Sequence, residues 1–362
     1  MSNIIKLKNR SIGTGFPCYI IAELSANHGG SFDKAVRVLH AMQESGADAV
    51  KIQTYTADTM TIDCGAEPFV VGGGTLWDGR TLHDLYREAH TPWEWQPELQ
   101  KVAQILGLDF FSTPFDASAV GFLEAMDVPL YKIASFEIVD LPLIRKVAAT
   151  GKPLIMSTGM ATLAEIEEAV AAAHSAGCTQ LALLKCNSGY PAPPEEMNLR
   201  TIPHLGHAFN VPVGLSDHTL EVAVPVAAVA MGACIIEKHF TLDRSEGGPD
   251  SAFSLEPGEF RKMVDAVRVT EKAIGTVRYS VAEKESASRV FRKSLFVVKD
   301  VAAGEPFTAE NVRCIRPGYG LHSRFLESVL TAKAAINLTR GTPLQLSHLD
   351  RISNIGHGRA CP

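Results

Sequence analysis

Three lysines sit inside apolar runs of this chain: Lys51 in AVKIQTY, Lys132 in LYKIAS and Lys185 in LALLKCN. Two histidines close later runs of the same kind, His218 in VPVGLSDH and His239 in ACIIEKHF. An ammonium group on a buried strand is costly unless an anion compensates it. One such lysine is explained by a stem that snorkels to solvent, but three in three runs call for a small ligand bearing phosphate and carboxylate. The chain as a whole has a net charge of −6, so the cationic cluster is no by-product of composition. Imidazoles ending adjacent strands stand about one strand spacing apart and can converge on one ion. Two ligands leave such a site open, and nitrogen donors beside oxygen donors suit Mn2+, Zn2+, Co2+ or Fe2+. A general acid/base histidine with a structural neighbour is the competing reading, and spacing alone does not separate the two.

The elements that must position these groups recur eight times. Apolar runs at 18–24, 49–55, 109–115, 130–135, 153–158, 181–187, 211–218 and 233–240 alternate with Ala-, Leu- and Glu-rich helical stretches. One such helix opens at Thr162, has Glu165 in capping-box position and stops at Gly177. Most runs are continuously apolar, as expected when both faces of a strand are buried. Eight such units predict an α/β fold, a (β/α)8 TIM barrel. An open doubly wound sheet is the alternative, but no G-x-G-x-x-G follows the first run. In a barrel the carboxyl ends of the strands surround the active site. Those ends offer Glu23, then Asn27 and His28 in the next loop, Lys51 with Gln53, Ser112 with Thr113, Lys132 with Ser135, Lys185 with Asn187, Ser216 with His218, and Glu237 with His239. Pairs two apart share one face of a strand.

The barrel is expected over 1–275, a charged linker over 276–290, a small β-rich domain over 291–352, and a fraying tail over 353–362. The small domain carries an internal repeat, DVAAGEPFTAENV and NLTRGTPLQLSHL, which aligns Gly304 with Gly341, Pro306 with Pro343, Phe307 with Leu344 and Val312 with Leu349. Each copy reads as a short strand, a glycine turn and a one-turn helix. So small a module buries little core alone and is expected to dock on something. The seven cysteines are scattered without a C-x-x-C pair, which reads as reduced thiols in a cytoplasmic protein. No run approaches the ~20 apolar residues of a membrane span, the N-terminus lacks a secretory apolar region, and no basic run points to nucleic acid. Trp93 and Trp95 read as a packing staple, and His83, His90 and His174 as solvated helix residues.

The blocks IIAELSANHGG, GADAVKIQTYT, STPFD, YKIASFE, KCNSGYPAPPEEMNL, GLSDHT and IEKHFTLD, in this order, resemble the sialic acid synthase family. Its members condense phosphoenolpyruvate with an acylated amino sugar to give nine-carbon nonulosonic acids. The tail RKSLFVVKDVAAGEPFTAENVRCIRPGYGL resembles the family's antifreeze-like (SAF) domain. IAELSANH, GGTLWDGRTLHDLYREAHTPWEW and GGPDSAFSLEP are similar to the branch that makes pseudaminic acid from 2,4-diacetamido-2,4,6-trideoxy-L-altrose. Ser251 stands where most relatives carry a histidine, which weakens carry-over from the neuraminate branch in that loop.

The resemblance implies a divalent metal, Mn2+ before Mg2+ or Co2+, on His218 and His239, polarising the open-chain aldehyde of the sugar. It implies that Lys51, Thr113, Lys132, Ser135, Asn187 or Ser188, and Ser216 bind phosphoenolpyruvate; Lys185 joins this set from its place on the strand. Glu23 is implied as general acid/base, and Gln53, Tyr190, Glu237 and Asp250 as sugar contacts. Arg316 would reach the barrel of the other subunit in a homodimer with swapped SAF domains. Synthases for legionaminate or N-acetylneuraminate are the alternative within the family. A Schiff-base aldolase using one of the lysines, metal-free and borohydride-trappable, is the alternative from another enzyme class. Ice binding by the tail is a third reading, which a flat exposed face would favour and a polar barrel mouth does not.

Overall fold

The structure is a computed structural model that describes residues 4–350; the tail expected to fray, 353–362, lies outside the described residues. The chain divides into two compact units after Gly275.

In the first unit, all eight expected strands form: β3 (Tyr19–Glu23), β4 (Ala49–Thr54), β5 (Asp109–Pro114), β6 (Tyr131–Ile133), β7 (Leu154–Ser157), β8 (Leu181–Cys186), β9 (Val213–Asp217) and β10 (Ile235–His239). They pair in parallel and close into a barrel between β10 and β3. Strand alternation sorts their side chains into two cores. Tyr19, Ile21, Ala49, Phe111, Leu130, Ile155, Ala182, Leu184 and Ile235 fill the interior, while Ile20, Val50, Phe110, Tyr131, Leu183, Leu215 and Ile236 pack outward under the helices. The interior has no room for a side chain at Gly214, where a Cβ would overlap Ile235 and Leu184.

A short hairpin that the sequence pattern did not announce precedes the barrel: β1 (Ile4–Lys6) pairs antiparallel with β2 (Ser11–Gly13). Its Ile5 and Ile12 join the interior core at the amino end of the strands and close that end. The helix Leu163–Ser175 carries the expected capping box between Thr162 and Glu165. Trp93 and Trp95 form a single 3-10 turn; Trp93 packs on Phe122 at 4.8 Å and Trp95 on Phe32 at 5.8 Å between centroids. His83 departs from its expected solvated state: it is buried, with Nε2 3.0 Å from Asp58 Oδ1.

In the second unit, the segment assigned to the linker holds two short turns of helix, Glu283–Ser286 and Ala287–Phe291. Beyond it, β11 (Ser294–Val297) pairs antiparallel with β12 (Val312–Ile315). The repeat is visible in three dimensions. Gly304 and Gly341 both take left-handed φ, 83° and 92°, a conformation open to glycine at little cost. Phe307 and Leu344 enter the same small core, as do Val312 and Leu349. The expected one-turn helix forms only in the second copy, at Leu346–His348.

Candidate active site at the carboxyl end of the barrel

Because alternate residues point inward, the interior face of each strand ends in a polar group: Glu23, Lys51, Thr113, Lys132, Ser157, Cys186, Ser216, Glu237 and His239 follow the interior apolar layer at spacing two. The middle of each interior row is apolar and its carboxyl end is chemically equipped.

Two buried ammonium groups anchor the site. Lys51 Nζ forms an ion pair with Glu23, lies 3.7 Å from Glu237 Oε1 and donates to Thr113 Oγ1 at 3.4 Å. Lys132 Nζ donates to Ser157 Oγ at 2.6 Å and to the Ile133 carbonyl at 2.8 Å, and lies 3.8 Å from Glu237 Oε1. Glu237 is thus shared by both lysines and also accepts from Ser216 Oγ at 3.2 Å. Burial works to raise its pKa, but Lys132, Lys51 and His218 outweigh that and hold it below the ordinary range. Burial lowers the pKa of Lys132. In Lys51 the same penalty is outweighed by Glu23 and Glu237, so its pKa rises. Glu23 is pushed up to about 7, chiefly by burial, against the pull of Lys51 and with the help of Glu237. A carboxyl group poised there can give or take a proton near neutrality.

Two hydroxyls crowd against the backbone of Gly159 at this end of the barrel. Gly159 N donates to Ser135 Oγ at 3.1 Å, and a Cβ at Gly159 would overlap the hydroxyls of Ser135 and Ser188. Sequence reasoning left Asn187 and Ser188 as alternatives; the structure turns them in different directions. The Asn187 side chain is occupied within its own loop, donating to Glu196 and accepting from Gly189 N at 2.8 Å. Ser188 turns its hydroxyl toward Gly159.

The imidazoles of His218 and His239 stand 5.3 Å apart between centroids. His218 Nδ1 is 2.7 Å from the Asn187 carbonyl. A carbonyl only accepts, so Nδ1 carries a proton and Nε2 is the nitrogen left to face a ligand; burial acts to lower the pKa of His218, but Cys186 and the Asn187 carbonyl raise it. His239 Nδ1 is buried and has no hydrogen-bond partner among the described residues; Asp250 Oδ2 lies 4.0 Å from it. Burial, reinforced by His218 and the lysines, holds His239 well below the usual imidazole range and therefore neutral. An unpartnered, neutral, buried nitrogen next to a second imidazole and a carboxylate fits a divalent cation. Among the described residues no group of three or more His, Cys, Asp or Glu is arranged to hold a metal ion.

The remaining expected residues fall as follows. Gln53 ends the interior row of β4, opposite Thr113. Tyr190 stacks over His218 at 4.5 Å. Asp250 accepts from Ala26 N at 3.4 Å, and burial raises its pKa. Lys185 is not brought to the site. Its neighbours Ala182, Leu184 and Cys186 take the inward positions of β8, so Lys185 faces the helices, half-buried, and donates to the Cys186 carbonyl at 2.8 Å. Arg316 follows β12 on the surface of the second unit.

Several site residues escaped the sequence reading. Ser157 lies in the run PLIMST and Gly159 directly follows it; small polar residues there carry no charge signal, and the sequence Ser-Thr-Gly was the available clue. Cys186 sits with Sγ 3.9 Å from His218 Nδ1. Burial acts to raise its pKa, but His218 and the hydroxyls of Ser135 and Ser216 bring it down to about 7. Trp77 and Phe253 form an aromatic wall with Tyr190: Trp77–Tyr190 is 5.7 Å, Tyr190–Phe253 4.9 Å and Phe253–His239 5.0 Å between centroids. Trp77 Nε1 donates to the Pro249 carbonyl at 2.9 Å, joining the loops after β4 and β10.

Residues 38–279 match the NeuB family, and residues 292–350 match the SAF domain. This chain belongs to the NeuB family. A NeuB relative named pseudaminic acid synthase, from Helicobacter pylori, is 44% identical over 92% of this chain and 98% of its own length. An N,N'-diacetyllegionaminic acid synthase from Legionella pneumophila is 35% identical over 93% of this chain and 96% of its own. A crystal structure titled N-acetylneuraminic acid synthetase, from Leptospira borgpetersenii in complex with citrate, superimposes with a TM-score of 0.71 at 32% identity, covering 80% of this chain and 95% of that one. The eight-stranded barrel is therefore a fold shared with that synthetase, and the SAF domain follows it in this chain.

Proposed function

We propose that this chain condenses phosphoenolpyruvate with 2,4-diacetamido-2,4,6-trideoxy-L-altrose and water, yielding pseudaminic acid and inorganic phosphate. The observation that carries it is the meeting of two buried ammonium groups, a cluster of hydroxyls and an imidazole pair at one end of the barrel. Lys51 and Lys132 balance the carboxylate and phosphate of phosphoenolpyruvate, with Thr113, Ser135, Ser188 and Ser216 donating to its oxygens. The identity to a relative named for this product, against the lower value for the legionaminate enzyme, supports the choice of sugar.

His218 and His239, with Asp250 beside them, would hold Mn2+ (Mg2+ and Co2+ being the other candidates), which when bound supplies Lewis-acid polarisation of the sugar aldehyde. The rest is the work of the chain's own side chains. Fixing both reactants in one dry pocket removes much of the entropic cost of their encounter. The third carbon of phosphoenolpyruvate bonds to the aldehyde carbon, and the aldehyde oxygen takes the proton held by Glu23. The second carbon, now electron-poor, receives water, whose proton returns to Glu23. The tetrahedral product then breaks its carbon–oxygen bond to phosphate, the hydroxyl proton leaves with the phosphate, and the carbon becomes the ketone of the nonulosonic acid. Gln53, Tyr190, Glu237 and Asp250 line the sugar side. Arg316 from the SAF domain of a second subunit completes the pocket of a homodimer, a reading supported by the family resemblance. The scattered free thiols support a cytoplasmic location, and among the described residues no helix is long and apolar enough to cross a membrane.

The test is phosphate release by EDTA-stripped protein with and without Mn2+, run with the altrose derivative, its legionaminate counterpart and N-acetylmannosamine. Mn2+-dependent release with the altrose derivative alone is the expected result. Release with another sugar would keep the chemistry and replace the substrate. Borohydride inactivation in the presence of a carbonyl substrate, without phosphate release, would instead support the aldolase.

A further inference from the structure

One residue before each histidine is a charge that faces the wrong way for the reaction. Asp217 and Lys238 lie directly opposite each other in the register of β9 and β10. Alternation turns both to the outer face, into the layer built by Leu215, Ile236 and Phe240. Both are fully buried, and Lys238 Nζ donates to Asp217 Oδ2 at 2.6 Å. Lys238 also donates to the carbonyl of Thr219. Thr219 in turn donates from its backbone N to Asp217 Oδ1 at 2.9 Å and from its hydroxyl to Asp217 Oδ2 at 3.2 Å. The ammonium before His239 thus grips the residues on either side of His218.

Such a pair is a poor way to stabilise a fold. Desolvating two charges offsets most of their attraction, and apolar replacements of similar volume are often neutral or better. What an ion pair supplies that leucine does not is a fixed partner: a shift of one strand against the other breaks it. We infer that Asp217 and Lys238 are positioning residues, clamping the ends of β9 and β10 so that His218 and His239 keep the separation one cation requires. The inference rests on the proposed two-histidine cation site. It concerns the side of the barrel away from the substrates, where neither residue touches the reacting atoms.

The experiment measures Mn2+ affinity of the full chain by loss of the free-ion EPR signal, alongside thermal melting and metal-free phosphoenolpyruvate binding by calorimetry. The variants are Lys238→Met, which leaves Asp217 its two bonds from Thr219, and the apolar pair Asp217→Leu/Lys238→Met. Expected is Mn2+ affinity weaker by about 10- to 100-fold, the scale of lost outer-shell support, with phosphoenolpyruvate affinity unchanged and melting within a few degrees of wild type. Folded variants that bind Mn2+ within threefold of wild type would overturn the clamp. So would parallel loss of Mn2+ and phosphoenolpyruvate binding, the mark of a general structural role. If the apolar variants do not fold, Asp217→Asn, which keeps the shape and one carbonyl acceptor, decides on the same criteria. A wild-type chain that binds no Mn2+ would overturn the cation site itself, a result distinct from failure of the clamp.

Discussion

The two ends of the barrel use charge in opposite ways, although the same strands supply both. At the amino end, Asp109 opens β5 and pairs with Arg10 at 2.9 Å, while Asp48 pairs with Arg10 at 2.6 Å and Arg268 at 3.0 Å. Tyr19, which opens β3, donates to Asp109 Oδ2 at 2.9 Å. Each of these carboxylates meets cations at the edge of solvent. Four residues further along the same two strands, Glu23 and Thr113 belong to a fully buried group in which two carboxylates share one lysine. Glu237 Oε2 has no hydrogen-bond partner among the described residues. Charges at the amino end pair at the edge of solvent; those at the carboxyl end pair in a buried network that still leaves Glu237 Oε2 and His239 Nδ1 without hydrogen-bond partners among the described residues.

Breaking the carboxyl end should therefore cost activity before stability. The largest effect is expected for Glu23→Gln, a loss of about 100- to 10,000-fold in kcat/KM, the range for a general acid/base, with the ionisation near 7 gone from its pH profile. The stability effect has a definite sign. The unfolded chain releases this proton near 4.5 and the folded barrel holds it to about 7, so wild type loses stability as pH rises across that window. Melting temperatures of wild type should fall relative to Glu23→Gln between those pH values, with the gap constant above them. A gap that does not change with pH would mean that Glu23 is ionised throughout.

Lys132→Met should follow, with kcat/KM lower by about 100- to 1,000-fold, as for removal of one preorganised electrostatic partner. Lys51 remains beside Glu237 when Lys132 is gone, so the melting temperature should stay within a few degrees of wild type. Arg10→Met should do the reverse: a melting temperature lower by a few degrees, the scale of about 1–2 kcal/mol in a chain of this size, and activity within twofold. If both variants moved activity and stability together, the division between the two ends would not stand.

The division was half legible in the sequence. Spacing of two placed Lys51 with Gln53, Ser216 with His218 and Glu237 with His239 on shared faces, and the structure puts each of these pairs inside the barrel. The amino end was not legible. Its hairpin strands are three residues each, too short for a periodic signal, and its arginines come from segments more than two hundred residues apart. Ser157 and Gly159 were passed over because small neutral residues look alike in loops and in sites. His83 was misplaced because a short helix shows its buried face only once its neighbours are known.

Lys185 is the instructive error and gives the smallest expected effect. The run LALLKCN is apolar on both faces, so it contains no alternation from which to read which residues point inward. Only the packed barrel decides that Leu184 and Cys186 do, and that Lys185 does not. Its ammonium is half-buried on the outer face of the strand, where burial lowers its pKa, and bonded to a backbone carbonyl of its own strand, so it points away from the ligand site. Lys185→Met should therefore leave the KM for phosphoenolpyruvate and kcat within twofold, where Lys132→Met loses orders of magnitude. A tenfold rise in KM for Lys185→Met would return this lysine to the anion site and show that the end of β8 reorganises when the substrate binds.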